Sequence, residues 1–276
     1  MMTLSLAWVR SVGKTKELIM AADSRLRAGR AWDVAPKILR LPRTDCAVCF
    51  AGDTDDAYPL MLSMASTIED YPKSRTRATD IHDVKGHSLR VFNHLRTFIS
   101  DLPTGQAESD PSKAEFIFGG FSWRQKKFAI WLLHYDSHIQ RFTFRPASTW
   151  RGGTGNKQIM FAGDYVEEAK VRLIDLLKSR GKLTTAGFDM EPFEVLRDMI
   201  RDRSFRLIGG APQVFKIYEF MNSQPYGVFW PSRQSGKVTI LGRPLLDYEV
   251  TDHLVLDPDT LETHDLKGNT SLLSED

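Results

Sequence analysis

The sequence predicts an α+β fold of four layers, an αββα sandwich in which two sheets pack face to face and helices cover both outer surfaces. Hydrophobic periodicity along the chain runs in the order four strands, two helices, four strands, two helices and then further strands. Within each run the strands are short and closely connected, which favours antiparallel pairing. A chain of 276 residues, 42% hydrophobic and 11% aromatic, has enough apolar material to fill such layers.

Taken in order, "TLSLAWVR" alternates, with Leu4, Leu6 and Trp8 on one face and Thr3, Ser5, Ala7 and Val9 on the other. Both faces read as at least partly buried. "ELIMAAD", "KILRLP" and "DCAVCFAG" are the next three strands. Cys46 and Cys49 stand three apart, so a strand points them to opposite faces, and they read as buried thiols. At "GDTDDAYPLMLSMASTIEDY" the period becomes helical: Asp53 or Thr54 caps, Asp55 and Asp56 suit the first turn, and Ala57, Met61, Met64, Ala65 and Ile68 form the inward stripe. A second helix is expected near 81–100, striped by Leu89, Phe92, Leu95 and Ile99. "AEFIFGGF", "KKFAIWLLHYD" and "HIQRFTFRP" follow as strands, the last two joined by a hairpin at "DSH". "QIMFAG" leads into a helix with Val166, Ala169, Leu173 and Leu176 inward and Gly181 as its stop, and a second helix starts with Pro192 in its first turn. "PQVFKIYEF" and "YGVFWP" are the last strong strand patterns, and the segment from "LDPDTLETHD" onward reads as a polar tail.

Charge is almost balanced, 37 basic against 35 acidic residues, which predicts no nucleic-acid or membrane partner. Two cysteines make no disulfide framework, and the start of the chain has no leader-like pattern, so a reducing, cytoplasmic setting is expected. No stretch is long and apolar enough for a transmembrane helix. The pairs His82/His87 and His134/His138 lack a completing carboxylate or thiol cluster, and "RGGTGNK" lacks P-loop spacing and reads as a flexible loop. Neither a metal nor another cofactor is therefore expected. The run Lys73, Arg75, Arg77 reads as a solvated loop, and Trp123, Trp131, Trp150 and Trp230 as core or interface residues.

Five short motifs stand in order: "AADSRLRAG", "PKILRL", "CFAGDTDDA", "FAGDYVEEA" and "LIGGAPQVFKIYE". Together they resemble proteasome β-type subunits and HslV-like peptidases, a family of N-terminal nucleophile (Ntn) hydrolases, over roughly residues 3–220. The resemblance implies a threonine peptidase that cleaves peptides or unfolded protein inside a homo-oligomeric ring, and it admits an ATP-dependent unfoldase as partner. It implies Thr3 as the nucleophile, its own α-amine as the base, and Lys37 as the cation that lowers that amine below an ordinary value of about 7.7–8.0. It assigns Asp23 to hold Lys37 and the amino terminus, and a backbone N–H near Gly52 to face the oxyanion. Residues 1–222 are then the Ntn domain and 223–276 a C-terminal extension.

Some positions depart from the family pattern. Ala162 stands at the glycine turn where a serine is expected, and Phe205 and Ile208 stand where an aspartate and a serine are expected, with Asp202 and Ser204 just upstream. Aligning the apolar alternation without a shift puts Met1 at the nucleophile's place, whereas a two-residue slip puts Thr3 there. Two other readings accompany the peptidase. One is a non-catalytic proteasome-fold scaffold or partner-binding subunit; the other is an amidase acting on a small molecule. Read without the resemblance, Asp23 and Lys37 are a partly buried ion pair joining two strands.

Overall fold

The structure is a computed structural model. It describes residues 3–28, 30–100, 102, 104, 106, 109–150, 157–185, 187–234 and 237–267. Most of the "RGGTGNK" loop and the end of the polar tail lie outside the described residues.

Mixed α and β elements follow one another as β1 (Leu4–Val12), β2 (Thr15–Ala22), β3 (Leu26–Ala28), β4 (Arg30–Trp32), β5 (Ile38–Arg40), β6 (Cys46–Ala51), α1 (Thr54–Glu69), α2 (Pro72–Arg75) and α3 (Ile81–Leu95). The second half holds β7 (Glu115–Ser122), β8 (Lys127–Asp136), β9 (Arg141–Pro146), β10 (Ile159–Gly163), α4 (Val166–Ser179), α5 (Glu191–Arg201), β11 (Gln213–Tyr218) and β12 (Ser223–Trp230). Short strands β13 (Lys237–Ile240), β14 (Arg243–Pro244), β15 (Val255–Leu256) and β16 (Thr263–His264) follow.

One sheet has the order β10-β1-β2-β11-β12-β13-β14, with β15 on β12 and β16 on β15; the other is β5-β6-β7-β8-β9. Pairing is antiparallel in both, except for the parallel β12–β15 contact. The pleat then sorts the side chains. Leu4, Leu6 and Trp8 of β1 share a core with Leu173 of α4 and Phe193 of α5, while Ala7 and Val9 share another with Cys49 of β6 and Ile117 of β7. A third core joins Phe50, Phe116 and Trp131 of the five-stranded sheet to Met61 and Met64 of α1 and Phe92 of α3. Cys46 and Cys49 fall in different cores, as their spacing requires.

Local chemistry explains the helix starts. Asp53 accepts from the Asp55 N–H to cap α1, and Asp80 accepts from the His82 N–H at 3.0 Å to cap α3. The α3 helix stops at Leu95 rather than near 100, giving way to a 3₁₀ turn at Arg96–Phe98, and Ile99 is left exposed. Its buried stripe is accordingly Ile81, Val84, Ser88 and Phe92. The β8–β9 connection spans residues 137–140 instead of three residues, because Gln140 takes φ 48° and leaves the extended strand. Residues from Ser223 onward continue the large sheet directly, β12 pairing with β11 through Val214 opposite Tyr226. Among the described residues, no helix is long and apolar enough to cross a membrane.

Candidate functional site

Three chain segments that are remote in sequence end at one point. Thr3 stands just before β1, Asp23 just after β2, and Lys37 just before β5. Because β1 and β2 pair antiparallel, Ser5 opposite Ala22, the start of one strand lies beside the end of the other. Thr3, Asp23 and Lys37 are all fully buried.

Lys37 joins the other two. Its Nζ donates to Asp23 Oδ1 at 2.6 Å and to Thr3 Oγ1 at 2.7 Å. Asp23 is held by backbone donors as well: Oδ1 accepts from the Leu4 N–H at 3.1 Å, and Oδ2 from the N–H groups of Arg25 at 3.1 Å and Gly209 at 2.9 Å. Burial pushes Lys37 below the ordinary lysine range against the pull of Asp23, and Asp164 also favours the charged amine. Burial likewise pushes Asp23 up, against Lys37 and the N–H groups of Gly209 and Leu4. Desolvation thus drives both partners toward neutrality, while their short contact favours the ion pair.

Lys37 is aimed by its backbone. Gln213, at the start of β11, accepts from the Lys37 N–H at 2.9 Å and the Ile38 N–H at 3.3 Å through Oε1. Its Nε2 faces Asp23 O at 3.2 Å, Ser24 Oγ at 3.0 Å and Ala35 O at 2.8 Å. One buried amide therefore ties the end of β2 to the approach to β5. Arg25 grips Asp33 through two hydrogen bonds and donates to the carbonyls of Arg206 at 3.1 Å and Ile208 at 3.2 Å, which helps fix the turn carrying Gly209.

Asp164 completes the surroundings of Thr3, and sequence reasoning missed it. The Thr3 N–H donates to Asp164 Oδ2 at 3.1 Å, and the Asp164 N–H donates to Thr3 O at 2.7 Å. The turn at Gly163 makes this approach feasible: its φ is 99°, and a Cβ there would stand 2.1 Å from Thr3 O. "FAGD" offered the signal, but attention to Ala162 hid it. Ala162 belongs to the core between the sheets.

Gly52 is the least direct of the predicted residues. It has φ 100°, and a Cβ there would lie 2.1 Å from Lys113 O, so its geometry answers to the chain before β7. Ala51 beside it reaches the site side, with its Cβ 3.0 Å from where a Cβ on Gly163 would be. Asp202 and Ser204 serve elsewhere: Asp202 accepts from Arg172 at 2.8 Å and from Ser204 Oγ at 2.7 Å. Phe205 packs edge-on against Tyr165, and Ile208 joins the helix-side core.

Chemically, a lysine amine facing a threonine hydroxyl can stabilise negative charge on that oxygen, and a carboxylate at the threonine nitrogen can orient it. Among the described residues, no group of three or more His, Cys, Asp or Glu side chains could hold a metal ion. No protein-family model matches the chain, and comparison with curated proteins finds no significant match.

Proposed function

We propose that the chain is a proteasome-like Ntn hydrolase of the threonine peptidase type, folded as an αββα sandwich and active in the cytoplasm as an oligomer with Thr3 as its first residue. The observation that carries this reading is Lys37 Nζ, 2.7 Å from Thr3 Oγ1 and 2.6 Å from Asp23 Oδ1 in a fully buried cluster. The three cores, one between the sheets and one on each helix-covered side, support the sandwich.

While Met2 precedes it, the Thr3 nitrogen is an amide and cannot serve as a base. Once it is a free amine, it takes the hydroxyl proton as Oγ1 attacks the substrate carbonyl carbon. The resulting tetrahedral oxyanion collapses, the amine nitrogen of the scissile bond leaves with that proton, and an acyl ester remains on Thr3. Water, deprotonated by the same α-amine, then attacks the ester and releases the acid and the threonine hydroxyl. Lys37 stabilises charge on Oγ1, and Asp23 holds Lys37 in place.

A second reading rests on the complete burial of Thr3, Asp23 and Lys37: a cluster closed to solvent suits a scaffold or partner-binding subunit. Intact-mass analysis of the purified protein, followed by treatment with a β-lactone probe, separates the two. Loss of the first two residues and one probe adduct on Thr3, absent in Thr3→Ala, is expected for the peptidase. Retention of both methionines and no adduct in any active-condition preparation would move the assignment to the scaffold.

A further inference from the structure

Asp164 sits immediately before the N-cap of α4, where an aspartate ordinarily turns its carboxylate toward the helix's free N–H groups. Here the cap is Tyr165, which makes no side-chain cap bond and takes φ 56°. A left-handed tyrosine beside a glycine at φ 99° is an uncommon backbone, and such local strain persists where the surroundings hold it. The result is that Asp164 faces the start of β1 with both its N–H and its carboxylate, bonding Thr3 O at 2.7 Å and Thr3 N at 3.1 Å. Glu115 of β7 steadies the turn by accepting from the Gly163 N–H at 3.1 Å.

We propose that Asp164 is the positioning residue for the Thr3 amino group, its carboxylate pairing with the α-ammonium once the chain begins at Thr3. The inference rests on the threonine-nucleophile reading and adds a charge at a turn where the family resemblance leads one to expect a serine. The amide bond from Thr3 N to Asp164 Oδ2 becomes an ion pair on processing, while the backbone bond from Asp164 N to Thr3 O keeps the residue in register. Three other charged groups face this point: Lys37 ahead of β5, Asp23 after β2 and Glu115 on β7. Lys37 opposes a second cation, and Asp164 offsets it, so the basicity of the amine reflects their difference.

A carboxylate beside an ammonium raises its pKa, and the amine must be unprotonated to act. Removing the charge therefore lowers the amine's pKa and extends activity toward acid. The test is the rate of β-lactone labelling of Thr3 as a function of pH in processed parent, Asp164→Asn and Asp164→Ala, with the N-terminus of each verified by mass. The acid limb of Asp164→Asn is expected to lie lower by about one pH unit. Asp164→Ala should show the same displacement with a slower maximal rate. A structural role alone would scale the rate equally at every pH. Identical acid limbs in parent and Asp164→Asn overturn the proposal while leaving Thr3 as nucleophile. A processed parent that never labels at Thr3 overturns both.

Discussion

Asp23 and Lys37 form an ion pair 2.6 Å long with neither side chain exposed to solvent. Sequence alone read it as partly buried, and the difference matters, because a fully desolvated pair has no water to replace a missing partner. Three backbone N–H groups still face the carboxylate if the lysine is lost, so the site is damaged in steps.

Lys37→Met keeps side-chain volume and leaves Asp23 buried without its cation. A stability loss of about 3 kcal/mol is expected in urea unfolding. The double variant with Asp23→Asn should lose less than the two single losses summed. Strict additivity would show that the pair is uncoupled.

Gly163→Ala places a methyl group against Thr3 O at a backbone angle unfavourable to alanine. Destabilisation of about 2 kcal/mol or more is expected, with Thr3 labelling lost. Gly13→Ala is the control: φ there is 60° but nothing lies within 4 Å of the added atom, so about 1 kcal/mol is expected. Equal effects would mean that close approach to Thr3 is not what Gly163 supplies.

Burial pushes the Cys49 thiol up to about 12, and that of Cys46 well above its ordinary value. A raised thiol pKa leaves almost no thiolate at pH 8, so native protein should be inert to Ellman's reagent. Both of the chain's two cysteines should react once it is unfolded. A single fast-reacting thiol in the native state would contradict this placement.

Asp80 caps α3 and also accepts from Ser122 Oγ at 2.8 Å and the Arg124 N–H at 3.2 Å. Burial alone would raise its pKa, but these bonds and that from His82 hold it below the ordinary aspartate value. A depressed carboxylate stabilises the fold at pH values above its unfolded pKa, and the contribution disappears as pH falls through the folded one. Asp80→Asn should therefore flatten the acid end of the stability-against-pH curve, and Asp80→Ala should cost about 1–2 kcal/mol near neutrality. An unchanged acid slope in Asp80→Asn would remove Asp80 from the account.

The sequence by itself determined what local chemistry determines. Period-two and helical patterns set most element types, Asp53 set the start of α1, and the spacing of Cys46 and Cys49 sent them into separate cores. It also singled out Thr3, Asp23 and Lys37, because motif order carries information about which strand ends meet. What only the tertiary structure decided are relations with no local trace. Asp164 reaches Thr3 across 161 residues, and Gln213 reaches Lys37 across 176. In the large sheet β2 lies between β1 and β11, although β11 comes far later in the chain. Backbone hydrogen bonds are alike in every strand, so they do not encode which strands become neighbours. The packing of both sheet faces makes that choice, and with it the choice of carboxylate that meets the threonine nitrogen.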